Sequence, residues 1–262
     1  MIYICYGITK SASTFLYQLT EETFRAAGRP VVRLGPPLRP ADSVENYFDF
    51  LTDPILESIQ QAAAGRDVVL KTHGPPIGAL ARQIAAGTLL ANASIRDPRE
   101  IALSMLDHGD RSRQWRQHRF SEFAEVADTL NALDIQIGLF RSWAGIAGVR
   151  VFKYNDICFD SGAVVAAIAA QIGAAVEPDR VLRRFKSKTR IGQFSKGQAL
   201  RYTEMSSEDQ QIFLDRYAEL YSEIDFETEG ARLAAARQKG QTLRPSGEFF
   251  QHLINFRRRF RI

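Results

Sequence analysis

Short apolar runs alternate with stretches in which apolar residues return every three or four positions. Ile2 to Tyr6 is apolar without a polar interruption, the pattern of a strand covered on both faces. Further runs at Pro30 to Leu34, Asp67 to Lys71, Leu89 to Ile95 and Val149 to Lys153 predict four more strands. Helical spacing predicts helices over Ser13 to Ala27, Asp53 to Ala64, Ile77 to Ala86, Phe120 to Ala144, Gly162 to Ile172, Pro178 to Phe185 and Glu208 to Tyr221. A further helix starts at Asp97, a capping residue, with Pro98 in its first position. The proline-rich Gly35 to Asp49 reads as a loop able to cover a cleft. Strand–helix alternation predicts an α/β chain of three layers, a central parallel sheet with helices on both faces. No repeat, low-complexity stretch or strong linker divides the 262 residues, so one domain is expected, with a core over about 2–222 and a tail over about 245–262.

Three segments carry chemistry. The first is Thr9-Lys10-Ser11-Ala12-Ser13-Thr14-Phe15, a turn between a strand and a helix. A helix N-terminus beyond a strand's carboxyl end offers free amides and a positive dipole end, which suits a phosphate. Lys10 adds a point charge, and Ser11, Ser13 and Thr14 add hydroxyls. The spacing is not that of a Walker A loop, because Thr9 rather than a glycine directly precedes Lys10. A capped helix with a solvated lysine is the plainer alternative. The second segment, Lys71-Thr72-His73, ends a strand expected beside the first, so His73 would face the same crevice as Lys10. Gly74-Pro75-Pro76 then stops the strand. The third is Arg96, closing a strand, with Ser104 eight residues on, about two turns into the next helix. Together Arg96 and Ser104 make a second anion site; alternatively Arg96 pairs with Asp97 and Ser104 lies on a helix surface.

These segments resemble the sulfotransferases that use 3′-phosphoadenosine 5′-phosphosulfate (PAPS). Thr9 to Leu16 is similar to their 5′-phosphosulfate loop, Lys71-Thr72-His73 to the segment supplying their catalytic base, and Arg96-Asp97-Pro98-Arg99 through Ser104 to their 3′-phosphate site. Tyr154-Asn155-Asp156 resembles a segment after their last core strand, and Gly192-Gln193-Phe194 is faintly similar to a late element that follows basic residues. The resemblance implies a P-loop-NTPase-like sulfotransferase fold, His73 as general base and Lys10 and Lys71 as catalytic cations. It implies Lys10, Ser11, Ala12, Ser13, Thr14, Phe15, Arg96, Ser104, Tyr154 and either Lys188 or Arg190 as nucleotide contacts. The donor would be PAPS, the product 3′-phosphoadenosine 5′-phosphate (PAP), and no metal is needed. Two departures stand out: Ala12 replaces the usual glycine of the loop, and Phe15 replaces a tryptophan while keeping a ring for adenine.

Composition narrows the alternatives. Hydrophobic residues at 45% and charged residues at 24% describe an ordinary soluble globular chain. The net charge of +4 is matched by Arg257, Arg258, Arg259 and Arg261 of the tail, so bulk charge gives no reason to expect nucleic acid. Two cysteines, Cys5 and Cys158, without metal-ligand spacing suggest reduced buried thiols and a cytoplasmic setting. Met1 to Tyr6 reads as a strand rather than a signal segment. The acceptor is the least legible part. Four arginines around Trp115 could line a groove for an anionic or sugar-bearing acceptor, or form a solvated loop. The aromatic, arginine-rich tail could touch a membrane surface, dock on the body or fray. A small-molecule, glycan or lipid hydroxyl, or an amine, is the expected acceptor. A kinase-like enzyme with a degenerate P-loop and a non-catalytic anion-binding module are the competing readings.

Overall fold

A computed structural model describes residues 1–40, 45–188 and 200–226, with 184–188 described by backbone alone. Four strands form in chain order: β1 Ile2–Gly7, β2 Val68–Thr72, β3 Leu90–Ile95 and β4 Val149–Lys153. The helices are α1 Ser13–Ala26, α2 Asp53–Ala63, α3 Leu80–Ala85, α4 Pro98–Gln114 and α5 Val126–Ala144. They continue with α6 Tyr154–Phe159, α7 Ser161–Gln171, α8 Pro178–Lys188, α9 Ser207–Arg216 and α10 Ala218–Glu223. The described chain divides into two compact units, Met1–Ile95 with 138–188, and Arg96–Ile137 with 200–226. Each unit takes two separate stretches of sequence, which is why no linker signals the division.

The first unit holds the sheet, in the order β2-β1-β3-β4, with every pairing parallel. Tyr6 pairs with Thr72, Gly7 with Ser94 and Ile95 with Lys153, so the carboxyl ends of the four strands are in step. β1 and β2 are buried at every residue, as the unbroken apolar run of β1 predicts for a sheet covered on both sides. Leu16, Leu19 and Phe24 of α1 are buried with Tyr3, Ile4 and Tyr6 of β1. Cys5 and Cys158 are buried free thiols. The connections from β1 and from β3 leave in opposite directions along the sheet, which puts the switch point of the fold at the carboxyl ends of those two strands.

The second unit carries α4, the first part of α5, α9 and α10. α4 starts as the sequence predicts: Asp97 accepts the Arg99 N–H at 2.9 Å and Pro98 takes the first helical position. No helix among the described residues is long and apolar enough to cross a membrane.

Three expectations are corrected. Pro30 to Leu34 forms no strand, only an isolated parallel bridge between Val31 and Asp67. Pro30 has no N–H to donate, and the Leu34 N–H is taken by the Asn46 side chain at 2.9 Å, so the run cannot continue a ladder. The helix expected from Phe120 begins at Val126, because Phe120 sits at φ 63° and the Asp128 carboxylate caps the amides of Ala124 and Glu125. The last helical run is broken at Tyr217, whose φ of −115° separates α9 from α10.

At Gly7 a Cβ would lie 2.2 Å from Ser94 Oγ and 2.5 Å from Ser13 Cβ. The Gly7→Ala variant is therefore expected to lose about 1–3 kcal/mol of stability, read as a fall in Tm of about 2–4 °C per kcal/mol. An unchanged melting temperature would show that β1, β3 and α1 are not packed this closely.

Candidate functional site

The β1–α1 turn is built around two left-handed residues, Lys10 at φ 69° and Ala12 at φ 63°. Successive amides in such a turn face one side and form a concave anion nest. The N-cap Ala12 makes no side-chain cap bond and the first turn of α1 holds no acidic residue, so nothing in that turn opposes an anion at the positive helix end. The arrangement can hold an anionic group. Ser11 serves the turn itself. Its hydroxyl bonds the Ile8 carbonyl at 2.6 Å and lies 2.7 Å from Ser94 Oγ, and its N–H reaches the same carbonyl at 3.2 Å. Ser13 and Thr14 open α1.

β2 delivers Lys71 and His73 to this turn. The Lys71 side chain, 5% exposed, donates to Thr14 Oγ1 at 2.8 Å and to Glu45 Oε2 at 3.0 Å. Its ammonium also lies 5.7 Å from the centroid of the Tyr47 ring. His73 Nδ1 is 2.5 Å from the Gly7 carbonyl oxygen. A carbonyl only accepts, so Nδ1 carries the hydrogen and Nε2 of the neutral ring keeps its lone pair. Burial, then the nearby Lys71 ammonium, hold the imidazole pKa below its usual 6.5; the Gly7 carbonyl, Glu45 and Asp49 oppose them. The ring is thus neutral near pH 7 and able to take a proton.

The segment after His73 is braced. The Thr72 hydroxyl accepts the Gly74 N–H at 2.9 Å, and the Trp143 indole N–H donates to the Gly74 carbonyl at 2.9 Å. Trp143 stacks on Tyr6 with centroids 5.1 Å apart. A Cβ at Gly74 would lie 1.8 Å from the Asp49 carbonyl oxygen, so only glycine allows this approach.

In the second unit Arg96 pairs with Glu100, Nε to Oε2 at 2.8 Å, rather than with Asp97. Asp97 is held instead by Arg99 and by the Tyr221 hydroxyl at 2.8 Å. The second Glu100 oxygen accepts the Arg201 N–H at 2.6 Å. Glu100 and Ser104 are four residues apart on α4 and so share a face. Arg96 is tied to that face through Glu100.

Phe15 is 5% exposed and packs into the core of the first unit, and Tyr154 is likewise buried, at 7%. Lys188 ends α8 with its side chain undescribed. Arg190, Gly192-Gln193-Phe194 and the basic tail lie outside the described residues. Sequence reasoning missed Glu45, Tyr47, Asp49, Trp143 and Glu100. The loop signal at Gly35 to Asp49 pointed to the segment holding the first three, though not to individual side chains.

No protein-family model matches the sequence, and no curated protein does. Solved structures do match, 61 chains in all. Mouse sulfotransferase SULT7A1 complexed with PAP aligns with a TM-score of 0.56 at 12% identity, over 88% of this chain and 88% of that one. Retinol dehydratase in complex with androsterone and the inactive cofactor PAP aligns with a TM-score of 0.53 at 12% identity, over 86% of this chain and 82% of that one. Retinol dehydratase in a complex with retinol and PAP aligns at 0.52 and 14% identity, over 86% and 82%. The chain has the sulfotransferase fold.

Ala12 is an L-residue in a conformation that costs about 1 kcal/mol relative to glycine. Ala12→Gly is expected to raise Tm by about 2–4 °C. A lower Tm would mean that the alanine methyl makes a packing contact worth more than the strain.

Proposed function

We propose that this chain is a sulfotransferase that moves a sulfuryl group from PAPS to an acceptor hydroxyl and releases PAP. The observation that carries the reading is the convergence on one turn of a buried ammonium and an oriented neutral imidazole, through Lys71–Thr14 at 2.8 Å and His73–Gly7 at 2.5 Å. A solvated lysine beside a capped helix would need neither.

The donor supplies the sulfuryl group and a leaving phosphate. His73 Nε2 takes the acceptor proton as the acceptor oxygen bonds to sulfur. The sulfur–oxygen bond to the 5′-phosphate breaks, and its electron pair stays on the phosphate oxygen. Lys10, Lys71 and the α1 amides at Ser13 and Thr14 stabilise that charge. Arg96 and Ser104 take the 3′-phosphate. This last assignment rests on the resemblance and on the shared α4 face.

Thermal-shift titration tests the ligand class. Stabilisation by PAP without metal, well beyond that by ATP with magnesium or by 5′-AMP, is expected. A preference for ATP with magnesium would point to a kinase-like enzyme instead.

His73→Ala is expected to lower turnover by about two to four powers of ten while PAP still binds. For the parent enzyme, protonation of His73 removes the base, so kcat/KM falls as pH drops through its pKa. Because that pKa is held below 6.5, the acid limb lies below pH 6.5. A limb centred above that value, or full activity in the alanine variant, removes His73 from the role.

Arg96→Ala is expected to weaken PAP binding about tenfold to a hundredfold, with little change for 5′-AMP. Equal losses for the two ligands, measured on the same variant, would reflect a general effect on the fold and contradict the 3′-phosphate assignment.

A further inference from the structure

The carboxyl end of α4 bears a basic, aromatic turn that the reaction above does not use. Residues 113–119 are all exposed, and Trp115 is 71% exposed. Residues 111–119 contain Arg111, Arg113, Arg116, His118 and Arg119 and no acidic residue. The base of the turn is firm. Gly109 lies so close to the carbonyls of Phe120 and Phe123 that a Cβ would sit 2.6 and 2.4 Å from them. Arg113 is committed to structure, bonding the carbonyls of Ser121 and Phe123 at 2.8 Å each and the Asp110 carboxylate. Arg116 and Arg119 have no acidic partner among the described residues.

The turn is also built against local preference. The Gln117 N–H reaches the Ser112 carbonyl at 2.8 Å and the Arg116 N–H reaches the Arg113 carbonyl at 3.3 Å, the two bonds of a Schellman motif. Its left-handed position is normally glycine, yet Arg116 holds it at φ 52°. A charged side chain is presented there at the expense of backbone comfort.

We propose that this turn docks the protein on an anionic lipid surface, with the Trp115 ring at headgroup depth and Arg116 and Arg119 on lipid phosphates. An indole with both an apolar body and a polar N–H suits the interface. Clustered arginines without intervening acids suit an anionic leaflet. In the sequence the turn lies apart from the C-terminal tail.

The chain has two tryptophans, and the other, Trp143, is fully buried, so a change in tryptophan emission on adding vesicles reports Trp115. The full chain is mixed with phosphatidylcholine vesicles, with or without phosphatidylserine, and followed by co-sedimentation and fluorescence. Co-sedimentation and a blue shift with the serine lipid only, both lost in high salt, are expected. Trp115→Ala abolishes the shift. Arg119→Gln weakens binding about fivefold. Arg116→Gly weakens it to a similar degree while raising Tm, opposite signs that separate docking from folding. The proposal is overturned by absent binding, by equal binding to neutral vesicles, or by binding with unchanged Trp115 emission. Retention of a sulfated oligosaccharide without vesicle binding overturns it too, and assigns the surface to a glycan.

Discussion

The Gly7 carbonyl accepts the hydrogen bond that orients His73, and the missing Gly7 side chain lets Ser94 and Ser13 close around the end of β1. One residue therefore sets both the tautomer of the candidate base and the spacing between the sheet and α1. A side chain there would push β3 and α1 away from β1. The turn would then widen, and His73 would lose a fixed acceptor. Ser11 closes the same junction from the other side by bonding Ile8 and approaching Ser94. The positive-φ residues Lys10 and Ala12 follow from this geometry, since the chain must turn sharply between a buried strand and a helix with only five residues between them.

Lys71 poses a second constraint. A buried ammonium is costly unless paired and hydrogen-bonded. Here Thr14 and Glu45 supply the partners and Tyr47 adds a ring. Glu45 and Tyr47 sit in a loop, so something must hold that loop in register. Asn46 does so, donating to the carbonyls of Val32 and Val69 at 2.9 and 3.1 Å and accepting from Leu34. The same hydrogen bonds explain why Pro30 to Leu34 stops at a single bridge to Asp67, because Asn46 takes the Val32 carbonyl and the Leu34 N–H. The charge on β2 and the irregular edge of the sheet are thus one arrangement.

What was legible in the sequence was whatever depends on near neighbours. Short apolar runs marked β1, β2, β3 and β4, and Asp97-Pro98 marked the start of α4. Lys71 and the β1–α1 turn could be brought together because parallel strands in step put their carboxyl ends side by side. Partner choice was not legible. Arg96 has an acid beside it in sequence, but Asp97 is taken by capping and by Arg99, which leaves Glu100, one turn on, as the partner. Trp143 supports Gly74 across 69 residues of chain, a contact with no local signature. The interleaving of the two units is invisible for the same reason.

Burial decides what each arginine of the second unit does. Arg99 lies against Asp97 with the rings of Tyr202 and Tyr221 at 4.2 and 5.2 Å, and Arg201 is paired with Asp107 and Glu204. Their charges are cancelled within a few ångströms, so they contribute packing and directed hydrogen bonds and little field outside the protein. Arg96 is buried and bonded to the Glu100 carboxylate, whose other oxygen serves a backbone amide. Arg116 and Arg119 stand at the other extreme, exposed in water with no acid beside them in the sequence. A count of arginines treats all five alike, and the net charge of +4 says nothing about which of them an external anion can feel.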